Sequence, residues 1–311
     1  MKRSQTSRHP ILSIGALVAL VALLALWVLN VSRPGSRVEG RLNGCVAPPS
    51  AEDHVLRVIS FNMLHGIPQF TDLRERLEII AAEIDRLDAD IVILQEVPWT
   101  VKTGAAAQDL AERTGMNYAY LRSNANRWAL LFEEGEAILS RYPLSDPGFA
   151  ELQPRAGFFE HRVVLHVTAA TPGGDVDVYG THLTNGDPNV NLGQARALAD
   201  LVEQSRSAPA VIVGDFNARP DSPQIQALQE RWLDAFAEIE PADAYTCCID
   251  DLTVEEAIPT KRIDYVFLAA GDKTLDVVAV QRVFDRPFTV PQGWQWASDH
   301  IGLMVDLILE P

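Results

Sequence analysis

Cysteine is scarce in this chain of 311 residues, which carries only Cys45, Cys247 and Cys248. No C-x-x-C pair occurs, so a thiolate zinc site is not supported. Adjacent Cys247 and Cys248 would strain to bridge one another, and an oxidising compartment would leave one of them free to pair with Cys45. Basic residues are also few, 26 Lys and Arg against 42 Asp and Glu, for a net charge of -16. That balance repels polyanions, and no Lys/Arg run suggests a groove-binding loop, so long nucleic acid is not a favoured partner. No repeat of 20–50 residues and no low-complexity tract appears. What remains is ordinary for a globular domain, 47% hydrophobic and 22% charged residues.

One segment stands out. Residues 11–31 carry no charge, and Leu, Ala, Val and Ile dominate them. About 20 apolar residues match a bilayer's hydrocarbon thickness. Lys2, Arg3 and Arg8 precede the run, which places a cytoplasmic N-terminus at residues 1–10 and the rest outside. The run exceeds a cleavable h-region and no Ala-x-Ala site follows it, so an uncleaved anchor is the expectation. Leu42-Asn43-Gly44-Cys45 faintly resembles a lipoprotein box but lies too far downstream. Residues 32–54, with Pro34, Gly35, Pro48 and Pro49, read as a linker, leaving 55–311 as one catalytic domain.

That domain alternates two periodicities. Strand-like runs occur at 55–62, 91–95, 176–183, 210–214, 262–268, 275–283 and 301–309, with several more between 116 and 166. Leu73, Leu77, Ile80, Ile84 and Leu87 make one helical stripe, and helices are expected at 190–205 and 222–231. Mixed strands and helices over this length suggest an α/β fold of two packed sheets with helices outside.

Polar residues gather where the strands finish: Asn62, Glu96, His182, Asp215, Asn217, Asp264, Asp299 and His300. Loops at strand ends can converge on one crevice. Carboxylate and amide oxygens suit hard cations such as Mg²⁺ or Mn²⁺, and histidines beside carboxylates suit proton transfer. Each alone is weak, since a Glu after a strand is usually solvated and Gly214-Asp-Phe-Asn217 is also turn chemistry. Together they describe metal-assisted phosphoester cleavage.

The stretches Ser60-Phe-Asn-Met-Leu-His-Gly66, Ile93-Leu-Gln-Glu-Val97, Glu136-Ala-Ile-Leu-Ser-Arg-Tyr-Pro-Leu144, Gly180-Thr-His-Leu183, Gly214-Asp-Phe-Asn217, Arg262-Ile-Asp-Tyr-Val-Phe267 and Ser298-Asp-His300 extend across the domain. In that order they resemble the endonuclease/exonuclease/phosphatase superfamily, whose members include pancreatic-type deoxyribonucleases, inositol polyphosphate phosphatases and neutral sphingomyelinases. The resemblance implies a four-layered α/β sandwich of two mixed sheets and a divalent cation, Mg²⁺ or Mn²⁺, on Glu96, with Asn62 beside it and Asp299 near. It implies that Asp215 and Asn217 orient the attacking water or phosphoryl oxygens. Asp264 would hold the tautomer of His300, a general base or phosphate contact, while His182 would stabilise developing charge or help the leaving oxygen depart.

Less of the sequence bears on substrate. His65 and Arg162 are candidate substrate contacts, although a structural or solvated role is commoner for each. Trp294 and Trp296, just before Asp299, are expected on the rim, where they could meet an acyl chain or simply pack a long loop. The expected substrate is a phosphodiester in a phospholipid or another membrane-proximal molecule, with no protein partner. The alternatives are an extracytoplasmic nuclease and, from another class, a catalytically dead binding module on the same fold, which should lack a ligand or dyad residue.

Overall fold

The structure is a computed structural model that describes residues 9–44, 55–69, 72–237 and 244–310, with side chains from Gly15 onward. Its first element is helix α1 (His9–Asn30). Four strands and two helices follow: β1 (Glu39–Arg41), β2 (Leu56–Asn62), α2 (Leu73–Arg86), β3 (Ile91–Thr100), β4 (Gly104–Ala105) and α3 (Ala106–Thr114). Next come β5 (Asn117–Asn126), α4 (Arg127–Leu130), β6 (Phe132–Ser140), β7 (Leu144–Glu151), β8 (Val163–Thr171) and β9 (Gly174–His182). The rest comprises α5 (Pro188–Ser205), β10 (Ala210–Asp215), α6 (Pro223–Gln229), β11 (Leu233–Asp234) and β12 (Asp264–Ala269), then β13 (Thr274–Val283), β14 (Phe288–Val290), β15 (Gly293–Gln295) and β16 (Gly302–Glu310).

One sheet runs β1-β5-β6-β3-β2-β16-β13, with β4 beside β3, and the other runs β11-β12-β10-β9-β8-β7. Each is mixed, because β2 pairs parallel with β3 and β10 parallel with β9 while their other partners run antiparallel. Alternation along β2 shows how the layers form: Leu56 and Val58 face the second sheet, and Ile59 and Phe61 face the helices. The stripe Leu73, Leu77, Ile80, Ile84 packs on that outer side. On the opposite face of the molecule Leu198 and Val202 of α5 and Ile225 of α6 cover Ile212, Tyr179 and Phe267. Helix, sheet, sheet and helix give the expected four layers, and α3, which the sequence pattern does not announce, shares the first outer layer.

Helix α1 forms where the anchor is expected. Its side chains are described only from Gly15 to Asn30, roughly 24 Å at 1.5 Å per residue. Among the described residues no helix is long and apolar enough to cross a membrane. The expected linker is not free throughout: Glu39–Arg41 pair antiparallel with Tyr118–Tyr120, and Gly35 N donates to Arg122 O at 2.7 Å. Its second half, 45–54, lies outside the described residues.

Asp177, buried between β8 and the chain entering β10, shows how the second sheet is locked. Its carboxylate accepts from Thr168 Oγ1 (2.6 Å), Ser207 N (2.6 Å) and Ala208 N (3.1 Å). Burial pushes its pKa up, but His166 and these donors outweigh burial and hold it down at about 2. A carboxyl more acidic folded than unfolded stabilises the fold above its unfolded value, and that stability disappears as pH falls from about 4 through 2. Asp177→Asn should therefore cost about 2 kcal/mol at neutral pH, and the deficit should vanish near pH 2. Urea melts of both proteins at several pH values measure it; a pH-independent deficit would refute the account.

Candidate active site

Two parallel strand pairs, β2–β3 in one sheet and β9–β10 in the other, end at the same edge of the sandwich and aim their last residues at one crevice. Asn62 closes β2, His182 closes β9 and Asp215 closes β10, with Asp215 in register beside both His182 and Asp264. Gly214 permits this closeness, since a Cβ there would sit 2.0 Å from Thr181 O. Asn191 of α5 ties the two following loops together, donating to Thr184 O (2.6 Å) and Phe216 O (2.9 Å).

Glu96 reaches the crevice differently. It lies within β3 at a register shift between Leu94 and Val97, with φ of 54°, a region that non-glycine residues seldom adopt. The bulge turns the carboxylate toward Asn62, whose Nδ2 donates to Glu96 Oε1 (3.3 Å) and to Asp215 Oδ2 (3.2 Å). His65 N donates to Glu96 Oε2 at 3.1 Å. Burial raises the Glu96 carboxyl, yet His65, Asn62 and His300 together hold it below its ordinary value. Asn217 likewise has φ of 50°; its N–H donates to Asp215 Oδ1 (2.8 Å), and its Nδ2 lies 3.0 Å from His182 Nε2.

The last strand supplies the remaining pieces. Ser298 Oγ donates to Asn62 O (2.7 Å), lies 3.2 Å from Asp299 Oδ1 and accepts from His300 N (3.2 Å), which joins this loop to the end of β2. His300 Nδ1 and Asp264 Oδ2 form a dyad at 2.9 Å. Asp215 Oδ2 is the hub, 3.7 Å from His300 Nε2 and 3.5 Å from His182 Nε2. Burial would lower His300, but Asp264, Asp215 and Asp299 outweigh it and raise it to about 10. His182 has no such compensation, and burial drives it well below its ordinary value. The two imidazoles are thus shifted in opposite directions, His300 up and His182 down.

Burial and Asp264 push Asp215 up to about 7, and burial also raises Asp299. Ionised carboxylates crowded in so small a volume are what a divalent cation relieves, and the donors are the hard oxygens such an ion prefers. Glu96 and Asp299, with Asn62 alongside, fit that role. Among the described residues Asp215, Asp264 and His300 also bring ligand atoms within 4.8 Å of one another, although the dyad hydrogen bond already engages two of them.

His65, Glu96, Arg162, His182, Asp215, Asn217, Asp299 and His300 line one cavity of about 580 Å³, with Asn62 and Asp264 directly behind them. Asn124, Glu134, Asn185 and Lys261 share the lining and were not anticipated. Asn124 and Glu134 lie inside strands rather than at strand ends, hydrogen-bonded to each other across β5 and β6, where no turn signal marks them. Burial raises Glu134, and it raises the neighbouring Glu136 well above the carboxylate range, with Glu134 adding to the effect.

Two expectations are corrected. Trp294 sits half-buried in the β14–β15 hairpin and Trp296 is 3% exposed, packed with Ile249 and Ile301 and donating Nε1 to Val254 O (2.9 Å). Neither lines the cavity: Trp296 packs inward beneath its own loop and Trp294 stays on the hairpin. Cys247 and Cys248 are joined to each other at the cavity wall. Their strap is pinned on both sides, by Cys247 N to Lys261 O (3.0 Å) and Ile249 N to Asp299 O (2.9 Å); Cys45 lies outside the described residues.

Arg76 of α2, fully buried, braces the side of the crevice that carries Asn62 and Asp299. It donates to Met63 O (2.6 Å), Leu64 O (2.9 Å) and Ala297 O (3.1 Å), clamping the loops that carry Asn62 and Asp299. Burial lowers it to about 10, so it remains charged at neutral pH. Arg76→Leu strands three buried carbonyls and should cost about 3–5 kcal/mol in chemical denaturation. A loss below ~1 kcal/mol would show that water replaces the guanidinium freely.

Comparison with known proteins places this geometry. No curated protein matches the chain in sequence. Among solved structures, an endonuclease/exonuclease/phosphatase family protein from Bacteroides thetaiotaomicron superposes with a TM-score of 0.67 at 15% identity, covering 83% of this chain and 98% of that one. Another, from Beutenbergia cavernae, gives 0.62 at 26% identity over 83% and 72%. A mannosyl-6-phosphatase from Bacteroides thetaiotaomicron gives 0.65 at 17% identity over 81% and 99%. The profile of the Endonuclease/Exonuclease/phosphatase family matches residues 59–300, nearly the whole domain, and the chain therefore belongs to that family.

Proposed function

We propose that this chain is a divalent-cation-dependent phosphodiesterase, held at the extracytoplasmic face of a membrane by α1 and acting on a phosphoester of a membrane lipid. Hydrolysis of phosphoesters is the general chemistry of its family. The observation that carries the reading is the convergence of Glu96, Asp299, Asp215, Asn217, His182 and the Asp264–His300 dyad on one polar cavity. All positions needed for turnover are filled, which disfavours a binding module without activity.

Mg²⁺ or Mn²⁺ held by Glu96 and Asp299 would, when bound, withdraw charge from a phosphoryl oxygen and acidify bound water. Asp215, which both imidazoles reach, is placed to take a proton from the attacking water while Asn217 orients it. Water oxygen attacks phosphorus, the ester P–O bond breaks, and the leaving oxygen takes a proton from solvent while Asp215 returns its own to solvent. His300, aligned by Asp264, presents Nε2 to the phosphoryl oxygens, and neutral His182 donates a hydrogen bond to the charge that develops.

The anchor is supported by α1 itself, where Leu17, Val18, Leu20, Val21, Leu23 and Leu24 are 57–64% exposed. Such a face is costly in water and suited to lipid. The test is full-length protein in detergent or vesicles with Mg²⁺ or Mn²⁺, offered sphingomyelin, phosphoinositide, bis-p-nitrophenyl phosphate, a sugar monophosphate and plasmid DNA. Metal-dependent turnover greatest on a lipid supports the proposal. Preference for the sugar phosphate or DNA overturns the lipid assignment, and no turnover together with no metal-induced thermal shift overturns the chemistry.

A further inference from the structure

If α1 is an anchor, the face of the domain around its C-terminal end lies against the bilayer, and that face is apolar. Trp128 is 87% exposed, Phe158 64%, Phe159 52% and Leu131 63%. Phe158 and Phe159 meet edge to face, with centroids 4.8 Å apart. These residues come from two segments distant in sequence, and both segments bond to the end of α1 and the turn that follows. Trp27 Nε1 donates to Ala129 O (3.3 Å), Asn126 Nδ2 donates to Asn30 O (3.1 Å), and Ser32 Oγ donates to Phe159 O (2.6 Å). The aromatic residues therefore ring the point where the apolar helix leaves the domain.

The same segments run on into the cavity. Asn124 precedes Asn126 by two residues and Arg162 follows Phe159 by three, and both line the cavity wall. Three residues reach at most about 11 Å. Asn124 Oδ1 accepts from His161 N at 2.7 Å, which binds the two segments together between apron and cavity. Large aromatic side chains beside a membrane span settle at the headgroup level, where one edge is wet and the other apolar.

We propose that Trp128, Leu131, Phe158 and Phe159 form a bilayer-docking apron that inserts at the headgroup–acyl boundary and holds the mouth of the cavity against the membrane. The substrate is then a headgroup phosphodiester in the same leaflet. The net charge of -16 favours a zwitterionic surface over an anionic one. This inference rests on the anchored, lipid-directed reading above, and it replaces Trp294 and Trp296 as the lipid contacts.

The test uses full-length protein reconstituted into phosphatidylcholine–sphingomyelin vesicles, in which α1 tethers every variant equally. Trp128→Ser/Phe158→Ser/Phe159→Ser should lose at least roughly tenfold in turnover of vesicle lipid and change by no more than about twofold on soluble bis-p-nitrophenyl phosphate. Equal effects on both substrates overturn the proposal. Phosphatidylcholine brominated near the headgroup end of its chains supplies a readout independent of activity. It should quench wild type more than Trp128→Phe. Quenching without lipid hydrolysis would retain the apron and overturn the substrate; absence of the difference overturns the apron whatever the activity.

Discussion

Asp215→Asn should abolish turnover and, at the same time, make the metal-free protein more stable. Asp215 is a buried carboxyl raised to about 7 by burial and by Asp264. A carboxyl that holds its proton more tightly folded than unfolded destabilises the fold wherever pH exceeds its unfolded value near 4, most fully above 7. Removing the charge should return on the order of a few kcal/mol at pH 8 in EDTA. Asn would forfeit the bond from Asn62 Nδ2, worth about 1 kcal/mol, so the net sign remains stabilising. Expected outcomes are a melting temperature higher by about 5 °C at pH 8 with no gain at pH 4, and a kcat lower by roughly 10²–10⁴ with metal. Equal destabilisation at both pH values would mean that Asp215 is a structural carboxylate.

Glu96→Ala should remove the response to metal. A cation at 100 times its dissociation constant stabilises by about 2.7 kcal/mol, so wild type should melt about 5–10 °C higher in saturating Mg²⁺ or Mn²⁺. The variant should show no such rise and should lose at least about 10³-fold in kcat/KM, because the ion stabilises charge present only in the transition state. Its metal-free form should also be weaker by about 1–3 kcal/mol, since His65 N and Asn62 Nδ2 lose their acceptor. A variant that still shifts with metal would move the ion to the Asp215, Asp264, His300 group.

The two experiments separate roles that sequence alone merges. Both residues read in the sequence as acids that finish apolar strands, yet one stores electrostatic strain and the other is expected to hold the cation that would relieve it. That distinction depends on Asp264 lying beside Asp215 in register across β10 and β12, and on the bulge that turns Glu96 out of its strand.

Much was legible in one dimension. The stripe Leu73, Leu77, Ile80, Ile84 names its own buried face, and the β-branched runs ending in Asn62, His182 and Asp215 mark strands whose last residues are polar. Local periodicity and strand-end chemistry are properties of consecutive residues, so sequence alone determined the main strands and helices, though not α3, and the polar residues that reach the crevice from strand ends. Side-chain destinations set by register, bulges and sheet-to-sheet packing were decided only in three dimensions. Asn124 and Glu134 turn into the cavity from strand interiors, and Glu39–Arg41 join a sheet from within an apparent linker. Trp296 turns inward while Trp128, Phe158 and Phe159 stay out. An aromatic side chain carries no local signal of which it will do, because that choice depends on whether residues far away in the chain arrive to cover it.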